Sequence, residues 1–308
     1  MLVNILHNIR LYSLLFFNIP CTIAICLSLM VNRISKQHFP RPFLKWAGGK
    51  SKLIAQIRNY LPEPHTYTKY YEPFLGGGAV FFHLHPYDAM LTDVNSELIA
   101  TYKCVKNNLT DLVGLLKIHE SNHSKEYYYD IRQASVKTDL EKAARLLYLN
   151  KTCFNGLYRV NSKGQFNVPL GRYKNPKICP IELLSSASET LQLAQIKQAD
   201  FGDVLNYASG SNDFVFFDPP YYPISSTSYF TAYSRNAFNK DDQIRLRDTC
   251  EELASRDVKI MVCNSDCDFI RELYTEINFK IVPIKAARVI NSNIKNRGTI
   301  HELLIMSY

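Results

Sequence analysis

Asp218, Pro219, Pro220 and Tyr221, followed by Tyr222, form the densest group of chemistry-bearing residues in the chain. Consecutive prolines fix the backbone and remove N–H donors, so the carbonyls of the stretch stay free to accept hydrogen bonds. The Asp218 carboxylate is a further acceptor, and Tyr221 offers a flat face. Acceptors beside a stacking surface suit an exocyclic amino group on a planar base. A proline-rich turn alone needs neither an acid before the prolines nor aromatics after them, and convergent polar groups are what mark a site.

Residues 72–78 read EPFLGGG. Glycines after a strand let the backbone approach a ligand closely. Asp93 ends the next strand-like segment, where an acid can hold both hydroxyls of a ribose. The dinucleotide fingerprint G-x-G-x-x-G fails because Phe81 takes the last glycine position. The pattern therefore points to an adenosine-bearing ligand without requiring a pyrophosphate. A tight glycine turn with a solvated acid is the competing reading, and these residues alone leave both open. Residues 46–51, WAGGKS, raise a similar choice. Gly49, Lys50 and Ser51 match the end of a P-loop, but Leu44 stands at its first glycine, so the phosphate cradle is incomplete.

The elements around these residues alternate. Strands are expected at 69–75, 88–92 and 258–263, with short or amphipathic helices at 78–84, 95–107, 239–255 and 267–275. Phe214 to Phe217 form a continuous apolar run, the mark of a strand buried on both faces. Further apolar segments lie at 279–284 and 301–307. Between the two blocks, 109–151 is charged and Tyr-rich with helical spacing. Residues 152–180 are loop-like, with LYRV and QFNV flanking a turn at 161–164. This alternation predicts an open α/β sheet, whose ligands bind at the carboxyl ends of the strands.

The bulk numbers agree. With 308 residues, 46% of them hydrophobic, the chain can bury a sizeable core and is globular. A net charge of +8 biases it toward polyanions such as nucleic acid. Its eight cysteines include no C-x-x-C pair and no metal-spaced histidine, which predicts reduced thiols and no metal site. Residues 11–31 carry no charge and are long enough to span a bilayer. Asn18 and Pro20 interrupt them, and Met30 offers a simpler start, so membrane attachment is not expected and a cytoplasmic location is. From 151 to 181 there are six basic residues and no acid. Such a run is a solvated face or a DNA contact, and a two-stranded ribbon fits the major groove. Lys280 to Ile300 is a second acid-free basic tract.

FLKWAGGK, EPFLGGG, LNKTCFNG, FNVPLGRYKNP, DPPYY and FTAY occur in this order. Over residues 41–308 they resemble the Dam-type DNA adenine-N6 methyltransferases, the D12 class within the alpha group of amino-methyltransferases. The resemblance implies a Rossmann-like S-adenosylmethionine-dependent methyltransferase sheet with an inserted, mostly helical target-recognition domain carrying a β-hairpin. It implies an extension over 1–38, a cofactor-binding half over 39–108, recognition over 109–180 and the DPPY half over 181–308. Trp46, Lys50, Glu72, Pro73, Phe74, Gly76, Gly78, Asp93 and Asp218 are then expected to hold S-adenosylmethionine, with Trp46 near the adenine and no metal involved. Asp218, Pro219, Pro220 and Tyr221 are expected to be catalytic. By the same resemblance Lys45, Phe154, Asn155, Leu157, Arg159, Pro169 and Tyr173 face duplex DNA. Arg159 would read a guanine edge, Leu157 and Pro169 would lie near a thymine methyl, and Phe154 and Asn155 would enter the base stack.

The implied reaction is methyl transfer to adenine N6 within GATC, by base flipping and direct in-line transfer. No obligate protein partner is implied, and a cognate restriction endonuclease is compatible with it. The alternatives are a cytosine-N4 methyltransferase, which often carries Ser at the Asp218 position, and a non-catalytic DNA-binding regulator of the same fold.

Overall fold

The computed structural model describes residues 40–224, 238–287 and 299–308. The apolar stretch 11–31, Met30 and the FTAY motif at 230–233 lie outside the described residues, as does part of the 280–300 tract. Residues 40–308 form one compact unit.

In chain order the elements are α1 (Ile54–Ile57), β1 (Lys69–Glu72), α2 (Ala79–Leu84), β2 (Ala89–Asp93) and α3 (Ser96–Asn107). Then come α4 (Leu109–Ser121), α5 (Lys125–Gln133), α6 (Asp139–Thr152), α7 (Ile181–Leu191), β3 (Ala194–Gln198) and β4 (Asp213–Phe217). The chain closes with α8 (Lys240–Ser255), β5 (Lys259–Ser265), α9 (Asp268–Thr275), β6 (Lys280–Ala287) and β7 (Thr299–Met306).

The seven strands form one sheet in the order β3-β2-β1-β4-β5-β7-β6. Strands β1 to β5 pair in parallel, and β7 runs antiparallel between β5 and β6. The order reverses between β1 and β4, a switch point of the kind at which α/β sheets bind ligands. The mixed α/β, Rossmann-like sheet expected from the sequence is therefore present.

Strand alternation divides the core in two. Phe214 and Phe216 of β4 join one buried cluster, while Val215 and Phe217 join the other on the opposite face. That two-sided burial is why the run is continuously apolar. Helices α4 to α6 share the first cluster: Leu112, Tyr128 and Leu147 bury in it with Val80, Leu98 and Phe214. The helically spaced stretch 109–151 folds as these three helices. New N-caps restart it at Ser124 and at Thr138, the latter in a capping box with Glu141.

Two further expectations are adjusted. Strand β1 stops at Glu72 and not at residue 75, because Pro73 supplies no N–H for a ladder. The hairpin over 152–180 pairs through the bridges Val160↔Phe166 and Cys153↔Leu170 and forms no extended ladder. Asn161 closes its tip, accepting the backbone N–H of Lys163 and of Gln165 on its side-chain oxygen.

Candidate active site

A cavity of about 850 Å³ opens at the carboxyl ends of β1, β2 and β4. Of the expected cofactor and catalytic residues, Trp46, Lys50, Glu72, Phe74, Gly76, Gly78, Asp93, Asp218, Pro219, Pro220 and Tyr221 line it. Pro73 does not; it borders a separate small hollow with Tyr71 and Met90.

The glycine turn after β1 is shaped by backbone demands. Gly76 and Gly78 have φ of 45° and 64°, the left-handed region that glycine enters at no steric cost. A Cβ on Gly76 would lie 2.8 Å from Trp46 Cδ1, so only glycine lets the indole close on this turn. Trp46 also stacks on Tyr158, with ring centres 5.1 Å apart. Asp93 anchors the same turn: its carboxylate accepts the Gly76 N–H at 3.1 Å and the Asn95 N–H at 2.9 Å. Burial raises the Asp93 pKa, and these amides oppose the rise.

Glu72 is 2% exposed. The Tyr70 hydroxyl and the Phe81 N–H both donate to its Oε2, at 2.8 and 3.1 Å. Burial pushes its pKa up to about 8, against the pull of Tyr70 and Lys50.

Lys50 joins the two halves of the site. Its ammonium lies 2.6 Å from Asp218 Oδ1, donates to the Gly48 carbonyl at 2.6 Å, and sits 4.8 Å from the centre of the Tyr221 ring. Burial works against its charge, but Asp218 and Glu302 help to outweigh burial and hold its pKa above the usual lysine value. Burial likewise lifts the Asp218 pKa, with Lys50 opposing the rise. The Tyr221 hydroxyl donates to Glu302 Oε2 at 2.6 Å, and burial keeps that phenol neutral by raising its pKa.

Glu302, on β7, is a site residue that sequence reasoning missed; its only sequence signal is a lone acid in the apolar strand TIHELLIM. The far wall was missed too. Asp200, Phe201, Phe238 and Arg245 line the cavity, where Phe201 stacks on Phe74 at 5.3 Å and the Arg245 guanidinium lies 3.9 Å from the Phe201 ring centre.

The expected DNA residues gather apart from the cavity. Lys45, Phe154, Asn155, Arg159, Pro169 and Tyr173 are exposed, and Leu157 is half-buried against the core. Asn155 holds φ of 55°, a left-handed conformation uncommon outside glycine. Buried Asn150 ties this surface to the cavity segment: its amide donates to the Lys45 and Gly156 carbonyls and accepts the Lys45 N–H. Lys45 in turn donates to the Tyr173 hydroxyl at 3.2 Å. The Arg159 guanidinium donates to the Asn167 side chain at 2.7 Å.

An adenosine-bearing cation fits the cavity. Its volume lies in the range of ligand sites. It is lined by the aromatic side chains of Trp46, Phe74 and Phe201, an acid at the strand end and several carboxylates. Among the described residues no group of side chains could hold a metal ion, and no helix is long and apolar enough to cross a membrane.

Residues 46–290 match the family model for D12 class N6 adenine-specific DNA methyltransferases. The chain is 45% identical over 276 residues to the type II methyltransferase M1.LlaDCHI of Lactococcus lactis subsp. cremoris, with 87% of this chain and 95% of the relative covered. It is 43% identical over 290 residues to the type II methyltransferase M.MjaIII of Methanocaldococcus jannaschii, covering 87% and 99%. The DNA adenine methylase of Escherichia coli strain K12 is 36% identical over 271 residues, covering 86% and 95%. On this family match and these identities, the chain belongs to the D12 class of N6 adenine-specific DNA methyltransferases.

Proposed function

We propose that this adenine methyltransferase takes its methyl group from S-adenosylmethionine and delivers it to a flipped-out adenine within GATC. Bound in the cavity, the cofactor supplies an electrophilic methyl group on a sulfonium. Asp93 would hold its ribose, with Trp46 packing near its adenine. The observation that supports this most is that the DPPY acceptors and the glycine turn share one cavity, although far apart in sequence.

The N6 amine is a weak nucleophile because its lone pair delocalises into the ring. Lys50 engages Oδ1 of Asp218, and we assign the second carboxylate oxygen and the Pro219 carbonyl to the two N–H groups of the amine. Accepting both would turn the lone pair toward the methyl group, so that positioning and electrostatics drive the step. We assign to Asp218 as well the proton that N6 must lose. A base inside a duplex cannot reach such a cavity, so the adenine must leave the stack and rest against Tyr221.

We assign DNA reading to residues 109–180, with Arg159 on a guanine edge, where arginine pairs bidentately. Phe154 and Asn155, exposed on their turn, suit insertion into the stack. Membership of the adenine-specific family removes the cytosine-N4 alternative.

The test is methylation of an unmethylated plasmid with S-adenosylmethionine, mapped by single-molecule sequencing. N6-methyladenine confined to GATC is expected. Methylation at another site would keep the chemistry and overturn the specificity. Asp218→Ala should abolish methylation with DNA binding retained; near-wild-type activity would sink the assignment of Asp218.

A further inference from the structure

Pro219 and Pro220 contribute no N–H, so the amides at those positions cannot close the turn that carries Asp218. Two buried side chains hold it from outside. Gln243 of α8 and Asn264 of β5 are both 0% exposed. Gln243 Nε2 donates to the Pro220 carbonyl at 2.9 Å. Asn264 Nδ2 donates to Gln243 Oε1 at 2.9 Å. The Tyr222 N–H donates to Asn264 Oδ1 at 3.2 Å. Ser265 adds a parallel tie, its hydroxyl donating to the Tyr222 carbonyl at 2.7 Å and its N–H to Asn264 Oδ1 at 2.8 Å.

The relay has a direction. It starts at a backbone donor and ends at a backbone acceptor, which dictates how each amide is turned. Neither Gln243 nor Asn264 lines the cavity, whereas Asn239 and Asp242 at the start of α8 do. Filling this space with apolar side chains would avoid burying two amides, whose desolvation is costly unless every partner is met.

We propose that Gln243 and Asn264 are positioning residues for methyl transfer, stapling the DPPYY turn through the Pro220 carbonyl and the Tyr222 amide. The staple fixes where the Asp218 carboxylate and the Pro219 carbonyl point. This inference rests on the assignment of those two groups to the target amine. A target amine held by two acceptors tolerates little drift, and a displacement of about 1 Å costs about a hundredfold in rate.

The test measures single-turnover methylation at saturating cofactor and DNA. Gln243→Met keeps the volume and removes the amide. Its rate should fall by about a hundredfold, with cofactor and DNA dissociation constants unchanged. Gln243→Glu supplies a readout that a merely structural role would not move. A protonated carboxyl presents one acceptor and one donor where the amide does, but a carboxylate cannot donate to Pro220. Burial raises that carboxyl's pKa, so the ratio of Gln243→Glu to wild-type rate should climb as pH falls, by up to about tenfold per pH unit.

A folded Gln243→Met enzyme with wild-type rate would overturn the proposal, as would a Gln243→Glu ratio that stays flat through the pH range over which the introduced carboxyl itself titrates. If Gln243→Met does not fold, the ratio decides. Asp218→Ala runs alongside: if it is inactive while Gln243→Met is fully active, only the staple falls. If Asp218→Ala stays active, the underlying reading of the amine site falls instead.

Discussion

Replacing Glu72 by glutamine should stabilise the protein at pH 8 and do much less at pH 6. Glu72 is fully enclosed, and its pKa is pushed up from 4.5 to about 8, chiefly by burial. Between those values the native state keeps a proton that the unfolded chain has lost. Stability from this group is therefore fully present below the unfolded pKa and is lost as pH rises through the folded one. A pKa displaced by one unit corresponds to about 1.4 kcal/mol, so the whole loss approaches about 5 kcal/mol above pH 8. The part lost between pH 6 and pH 8 is about 2 kcal/mol.

Glutamine carries no such linkage. The Tyr70 hydroxyl and the Phe81 amide converge on one oxygen, Oε2, which a glutamine carbonyl can replace, leaving its amide nitrogen for the cavity side. Urea unfolding of both proteins at pH 6 and pH 8 gives four free energies. Groups remote from Glu72 that titrate in this range contribute equally to both proteins and cancel in the difference. The Glu72→Gln advantage should grow by about 2 kcal/mol from pH 6 to pH 8. An advantage that does not change with pH would mean that Glu72 is already charged in the native protein at pH 6. The account of burial given for this carboxylate would then be refuted.

Other substitutions test the remaining walls. Gly76→Ala forces an alanine to φ of 45° and its Cβ into Trp46; strain of about 1–3 kcal/mol predicts cofactor binding weakened by about tenfold or more. Trp46 is the single tryptophan of the chain, so its fluorescence reports that binding directly, and an unchanged dissociation constant would contradict the close approach. Tyr221→Phe keeps the stacking face but strips Glu302 of the hydroxyl 2.6 Å away. Leaving that carboxylate short of a donor at about 1–3 kcal/mol predicts a roughly tenfold slower methylation, read in single turnover with DNA affinity retained. Arg159→Ala should relax discrimination at one base pair by about 1–3 kcal/mol, measured on oligonucleotides that vary each position of the proposed GATC site.

What was legible in the sequence is what lies contiguous along the chain. Phe214 to Phe217 betrayed a strand covered on both faces, and the DPPYY and EPFLGGG turns stood out as candidate cavity walls because the acceptors and glycines lie side by side. Edge strand β3 escaped notice because AQIKQ buries only Ala194 and Ile196 and is polar at its other positions. Gln243 sits in KDDQIRL, a stretch whose composition reads as a solvated helix face, yet it is buried to contact Pro220. Asn264 and Glu302 stand on paired strands, β5 and β7, with α9 and β6 between them along the chain. Their roles follow from strand order. Because β1 and β4 lie side by side, the Gly76 turn and the Asp218 turn face one cavity. Because β7 inserts antiparallel beside β5, its early residue Glu302 reaches the same end of the sheet as the late residue Asn264. Topology, which no local pattern encodes, converts separate motifs into one site and sets Glu302 beside Tyr221. It also sets the Gln243–Asn264 relay behind the turn.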